Sequence, residues 1–297
     1  MVPCLGSTAD LTAFLVVESL NALSQAALLF FLGVGLTLIF GIMRIVNFAH
    51  GTFYMLGAFI GYSVVRFSGS FWLALVGAPL AVGILGALFE LGILRRLYRR
   101  DESAFLMVTF GLALVLTEMI RLGWGSEALQ VEPPSAFRDI VFVFGEPFPT
   151  YRLFLAGAGT LVALAIWQFL ERTRLGLLIR ATSQNAEMVH ALGTDVRLVR
   201  SAVFGIGCGL AGIGGVLAAP LVTASIGMAA EMIIDAFVIV IIGGMGSFPG
   251  SLLGAVLVAF VQVFGEYYLP DLALAFMYLV MLLVLVVRPG GLLGKEA

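Results

Sequence analysis

Three polar residues fall within seven positions of "FGIMRIVNFAHGTFYMLG" (40–57): Arg44, Asn47 and His50, with Gly51 and Thr52 following at once. An amide, an imidazole and a hydroxyl at this spacing offer donors and acceptors to a polar solute. Apolar runs flank them on both sides, so the group interrupts what would otherwise be continuous oil-loving chain. Polar side chains and free backbone at membrane depth persist only where protein or a water-filled cavity surrounds them. A broken helix whose N-terminus points into a cavity is one way to present donors to a solute. A tight turn at the membrane surface, with Arg44 at the interface, is the competing reading.

Carboxylates are the other chemistry-bearing groups. Glu90 and Glu118 lie within separate apolar runs, and Glu231 and Asp235 are four residues apart on one helix face. Polar groups in spans usually hydrogen-bond between helices, and in a minority of cases mark a pathway. Glu231 reads as solvated, whereas the deeper Asp235 is the candidate for a transport path. Taken together, Glu90, Glu118 and Asp235 are also the groups that an ion-coupled secondary transporter would use as a relay.

Catalytic and cofactor patterns fail. "GCGLAG" (207–212) formally matches a dinucleotide-binding G-x-G-x-x-G but sits in an apolar run with no strand before it. Gly205, Gly209 and Gly212 instead share one helix face suited to close backbone contact. The single lysine, Lys295, is followed by Glu296 where a P-loop needs Ser or Thr. His50 and His190 fall in different compartments, and Cys4 and Cys208 give neither a metal spacing nor a disulfide framework. Cys208 reads as a small buried hydrophobe. The chain is expected to hold no metal or cofactor, to bind no ATP by itself and to be no enzyme. Without a basic, aromatic-interleaved patch it is expected to bind no nucleic acid.

The elements that position these groups follow from composition. Of 297 residues, 61% are hydrophobic and 11% charged, where a soluble domain would carry about a quarter charged. Apolar runs of about 20 residues recur along the chain, matching helices that cross a hydrocarbon core of roughly 30 Å. The expected fold is all-α: one polytopic membrane unit over 1–297 with about eight or nine spans. They are placed near 19–42, 50–66, 70–94, 104–121, 151–170, 200–224, 229–244, 250–266 and 271–288. No basic start for a cleaved signal peptide is present in the first 20 residues.

Arginine bias sets the orientation. "RRLYRR" (95–100) puts four arginines into six residues, and 171–200 holds five arginines against three acids. Loop 122–150 reverses this, with Arg138 against Glu127, Glu132, Asp139 and Glu146. Basic loops stay cytoplasmic, so nine crossings with the N-terminus outside satisfy every loop. Counting 229–244 as re-entrant would export the basic tail.

Two further stretches stand out. "IIGGMGSFPGSLLGA" (241–255) is a second glycine-rich break, and broken segments in both halves of a chain are the sequence pointer to a transport site. The inside loop "ERTRLGLLIRATSQNAEMVHALGTDVRLVR" (171–200) is too regular for a floppy connector. Residues 184–192 predict a short helix with Met188, Val189 and Leu192 on one side, stopped by Gly193. Such a helix either docks onto a cytoplasmic partner or lies on the lipid surface.

"NFAHG" followed by "YMLGAF", "RATSQNAEMVHALG" and "GGMGSFPGSLLGA" resemble, in order and spacing, the permease subunits of branched-chain amino-acid-type ABC importers, the LivH type. The resemblance runs from about residue 20 to about 292. It implies half of a translocation pore in the bacterial inner membrane, paired with a second, homologous permease. Two cytoplasmic ATPase subunits and a periplasmic solute-binding protein would complete the machine. The solute class would be branched-chain amino acids or a related small polar molecule such as urea, an amide or an aromatic acid. Carried onto this chain, the pathway set is Asn47, His50, Gly51, Thr52, Asp235, Gly243, Gly244, Gly246 and Ser247. The set coupling to the ATPase is Arg180, Asn185, Ala186, Glu187, Met188, Val189, Ala191, Leu192 and Gly193. The acidic outer N-terminus is less typical of the family.

Overall fold

The structure is a computed structural model that describes residues 8–98 and 100–294, without the side chains of 8–10 and 102. Cys4, Arg99, Lys295 and Glu296, used above, lie outside the described residues. The helices are α1 (Thr8–Met43), α2 (His50–Ser68), α3 (Phe71–Phe89), α4 (Arg95–Leu97), α5 (Glu102–Trp124) and α6 (Thr150–Arg172). They continue as α7 (Arg174–Gln184), α8 (Ala186–Ala191), α9 (Val196–Val222), α10 (Met228–Gly243), α11 (Phe248–Tyr268) and α12 (Ala273–Val287).

Among the described residues, seven helical segments are long and apolar enough to cross a membrane: α1, α3 with its extension to Leu97, α5, α6, α9, α11 and α12 with its preceding turn. The two remaining expected spans are helical but different. α10 has 16 residues, about 24 Å of helix, short of a roughly 30 Å core. α2 is less apolar, because His50, Thr52, three glycines and Arg66 dilute it, and its first ten residues, His50–Phe59, are all buried. The first span also starts earlier than expected. α1 runs unbroken from Thr8 because nothing between 8 and 18 breaks a helix, and its 36 residues reach about 54 Å.

α1 is the axis of the packing. Its residues from Leu28 to Ile39 are almost all buried, against α6, α9, α10 and α11. α9 packs between α1, α2 and α3. Glycine sets these distances: a Cβ at Gly57 would lie 2.5 Å from the Gly212 Cα, and one at Gly215 would lie 2.0 Å from the Tyr54 carbonyl. Gly205, Gly209 and Gly212 all face α3, against Gly83, Pro79 and Val82, as the shared face predicts. Without a hydrophobic drive between helices in lipid, such close backbone packing is what holds a bundle together. On the opposite side of α3, Leu73, Val76, Leu80, Ile84 and Leu88 form an exposed apolar stripe.

The all-α reading misses one feature. Loop 125–149 carries a hairpin, β1 (Ile140–Val143) against β2 (Glu146–Pro149). Phe144 (φ 52°) and Gly145 (φ 89°) make the two-residue turn, both in the left-handed region that short hairpin turns require. Leu129 and Ala224 exchange backbone hydrogen bonds of 2.9 Å, which tie this loop to the α9–α10 connection.

Candidate translocation and coupling elements

α1 ends at Met43, and Arg44 takes a left-handed conformation (φ 52°) that turns the chain away. Non-helical backbone over 44–47 follows. Asn47 then shapes the entry to α2: its Oδ1 accepts from the Ala49 amide (3.1 Å) and its carbonyl accepts from the His50 amide (3.2 Å). His50 is fully buried and donates through Nε2 to the carbonyl of Leu32 (3.0 Å). Leu32 lies eleven residues above Met43 on α1, about 16 Å along the axis. The chain therefore climbs back beside α1, and α2 begins next to Leu32, enclosed among other helices rather than beside the end of α1.

A glycine crossing makes room for this. A Cβ at Gly35 would lie 3.0 Å from the His50 ring and 2.5 Å from the Gly207 carbonyl, so α1, α2 and α9 meet where His50 enters. With Nε2 donating, His50 Nδ1 is an acceptor, and it has no partner among the described residues; Asn47 Nδ2 is a buried donor in the same position. Gly51 is pressed against the Ala229 carbonyl of α10, which a Cβ would approach to 2.3 Å. Asn47, His50 and Thr52 are thus all buried. Arg44 and Phe48 are the exposed side chains of this segment, and Phe48 lies beside Phe237 (5.4 Å between ring centroids) and Phe110 (6.4 Å).

The second break is a tight elbow. α10 stops at Gly243; Gly244 (φ 101°) and Gly246 (φ 84°) turn the chain, and Ser247 caps α11 by accepting from the Gly250 amide (3.2 Å). Gly246 lies against Gly41, near the end of α1. The tail closes over the elbow: the amides of Leu292 and Leu293 donate to the carbonyls of Ile242 (2.8 Å) and Gly243 (3.1 Å). Gly41 is nine residues below Leu32, about 13 Å of helix. The elbow therefore lies level with the start of the first break at Arg44, and His50 at the far end of that break lies about 13 Å further along α1.

The three carboxylates part company. Asp235 is half-buried within α10 and accepts from Gln262 of α11 (3.3 Å), whose amide also reaches Met277 of α12 (3.3 Å). Glu90 is fully buried at the end of α3, where the helix widens into a π-turn (Glu90–Leu94). It accepts from Tyr98 and from Ser201 of α9, and Arg95 donates to Ser201 (3.1 Å). Helix-to-helix hydrogen bonding thus holds for Glu90 but not for Glu118. Glu118 is half-exposed and pairs with Arg121 of its own helix (3.2 Å), one turn on. Glu90, Glu118 and Asp235 belong to separate contact sets, so they form no relay.

Glu90→Ala should expose how much the α3–α9 junction depends on this acceptor. It leaves the Tyr98 and Ser201 hydroxyls without their partner, and hydrogen bonds to a charged group are worth about 1.5–3 kcal/mol each. The purified variant should melt several degrees below wild type, and Ser201→Ala should melt closer to wild type. Equal melting temperatures for Glu90→Ala and wild type would refute this.

Loop 171–200 carries two helices: α7, and then α8, which is the short helix expected over 184–192. Asn185 (φ −152°, ψ 95°) breaks the helix between α7 and α8, and its Oδ1 caps α8 by accepting from the Met188 amide (2.9 Å). Gly193 (φ 88°) ends it, and the Asp195 carboxylate caps α9 through the Arg197 amide (2.9 Å). The expected apolar side is corrected. Met188 and Leu192 are 58% and 78% exposed, but Val189 is 6% exposed and faces the body of the protein. Glu187 is exposed at the margin, Ala186 is half-buried and Ala191 exposed, and Arg180 pairs with Glu171 of α6. Sequence reasoning also missed a cavity of about 550 Å³ between α1, α6, α7 and α11, lined by Thr37, Trp167, Arg180 and Phe248. No local signal announces it, because the lining comes from four distant segments.

Seven helices fit to cross a membrane, a buried helix restarted inside the bundle, a glycine elbow and a short capped helix among arginines define a polytopic helical membrane protein. The chain belongs to the family described as branched-chain amino acid transport system, permease component, whose model matches residues 19–285. It is 30% identical to the high-affinity branched-chain amino acid transport system permease protein BraD of Pseudomonas aeruginosa, over 94% of this chain and 95% of that one. The corresponding LivH of Escherichia coli is 25% identical, with the same coverage of each. A probable LivH from the archaeon Methanocaldococcus jannaschii is 24% identical over 93% of this chain and 91% of its own length.

Proposed function

We propose that this chain is the membrane-spanning permease subunit of an ATP-driven importer in the bacterial inner membrane. Its solute would be a branched-chain amino acid or a similar small polar molecule. The family match over residues 19–285 carries this reading. The chain pairs with a second, homologous permease to close the pathway, takes its solute from a periplasmic binding protein, and is driven by two cytoplasmic ATPase subunits. No P-loop is present in its own sequence, so nucleotide hydrolysis belongs to those partners. An ion-coupled mechanism is not favoured, since its three candidate carboxylates are held apart.

In this reading the roles divide by burial. α8 docks with Met188 and Leu192 in an ATPase groove and Glu187 at its rim, while Arg180, Asn185, Ala186, Val189, Ala191 and Gly193 hold its shape and footing. Asn47, His50, Gly51 and Thr52 keep α2 restarted inside the bundle, which presents Phe48 to the open side of the chain. Asp235 lies one helix away, and the elbow of Gly243, Gly244, Gly246 and Ser247 lets α10 and α11 tilt beside the inner end of α1.

Cysteine substitution in the assembled transporter tests the pathway assignment. A water-soluble thiol reagent should modify Phe48→Cys, with the rate changed by added solute, and should leave His50→Cys unmodified in the resting state. Protection of Phe48→Cys in every nucleotide state would remove the segment from the pathway. The function itself is tested by reconstituting the chain with its partner subunits and measuring ATP-dependent uptake of labelled leucine. Uptake that persists without ATPase subunits would overturn it.

A further inference from the structure

We propose that Arg95 and Arg200 form a binding site for the phosphate of an anionic phospholipid, at the arginine-rich end of α3 and α9. The two guanidinium groups sit around one buried carboxylate. Arg95 donates to Ser201 (3.1 Å), which itself donates to Glu90, and Arg200 lies over the Tyr98 ring, 4.7 Å from its centroid. Arg200 makes no hydrogen bond or ion pair among the described residues, and the Nε–H groups of both arginines are buried without an acceptor. Glu90 spends both oxygens on Tyr98 and Ser201, so it balances one arginine at most.

Among the described side chains, neighbouring acids do not make up the difference. Asp195 is occupied with the α9 N-terminus (2.9 Å to the Arg197 amide), and Asp101 is exposed, while Arg96, Arg100 and Arg197 are exposed on the same end. The Nη groups of Arg200 and Nη1 of Arg95 are unpaired among the described residues and not among the buried atoms, and such a cationic pair with reachable donors suits an anionic oxygen ligand.

Charge alone would fit a soluble phosphate equally well; the flank of α3 selects a lipid. Its exposed stripe of Leu80, Ile84, Leu88 and Leu91 recurs every three or four residues and leads directly to Arg95. Acyl chains laid along that stripe bring a headgroup phosphate to the two arginines. The π-turn at Glu90–Leu94 widens the helix at the point where the apolar track meets the charges. A lipid held there braces α3 against α9, immediately behind α8.

The test uses the complete transporter in nanodiscs containing photoactivatable phosphatidylglycerol or phosphatidylcholine with the same tails. Peptides covering 84–100 and 196–204 should be labelled about fivefold more by the glycerol headgroup lipid, the factor expected for one basic residue at a membrane surface. Arg200→Gln should bring that labelling down to the phosphatidylcholine level, and so should Arg200→Met, which retains the stem over Tyr98. Arg200→Lys and Arg172→Gln, the latter an equal charge loss at another helix on the same side, should keep most of it. Equal labelling by the two lipids, or unchanged labelling in both neutral variants, overturns the proposal. Competition by millimolar inorganic phosphate would assign the site to a soluble anion and overturn it as well.

Discussion

Replacing Met188 and Leu192 together by Asp should leave a permease that inserts and folds but no longer retains its ATPase or transports. Both side chains are more than half exposed in the isolated chain, so the substitution removes little from its own core. In a docked groove each apolar side chain of this size is worth roughly 1.5–3 kcal/mol. Losing both, and forcing two carboxylates toward the groove, should weaken association at least about a hundredfold. Pull-down through the permease would then recover little ATPase, and ATP-dependent uptake would drop to background. Val189→Asp gives the contrast. Because Val189 points inward, that variant should lower the melting temperature of the permease itself before any partner is added. Normal ATPase recovery by the double variant would mean that α8 is not the docking element.

Gly215→Ala should be among the most damaging single methyl groups that can be added to this chain. Its Cβ would stand 2.0 Å from the Tyr54 carbonyl and 2.9 Å from the Ala58 amide nitrogen. Both are backbone atoms of α2, so no side-chain rotation relieves the overlap. The helices must part by more than an ångström, which also loosens the Gly57–Gly212 crossing beside them. Overpacking of this kind typically costs about 1–3 kcal/mol, and a rigid backbone neighbour places it at or above the upper end. Gly111→Ala is the matched control: its Cβ meets nothing within 4 Å. There the only change is in helix preference, which favours alanine by up to about 1 kcal/mol. Thermal melting and monodisperse yield in detergent should separate the two variants clearly. If Gly215→Ala melts like Gly111→Ala, the close crossing of α2 and α9 is not what holds them.

Much of this architecture is written locally. The spans, both breaks, the Gly193 stop and the basic side of the loops are all readable from runs of residue type. In lipid every backbone group must be satisfied within its own segment, so the chain has to mark where helices begin and end. Glycine at Gly244, Gly246 and Gly193 marks left-handed turns that a side chain would strain. What the runs do not mark is which face of each helix looks inward. A soluble helix advertises its buried stripe by contrast with a polar one, but lipid and protein interior are equally apolar, so that contrast is erased. This is why residue pattern alone puts Val189 on the docking side, makes Glu118 and Glu90 look alike, and gives no sign that the partner of His50 is the Leu32 carbonyl. Those choices depend on which helices pass within a glycine's distance of one another, and only the packed bundle of α1, α2, α3 and α9 decides that.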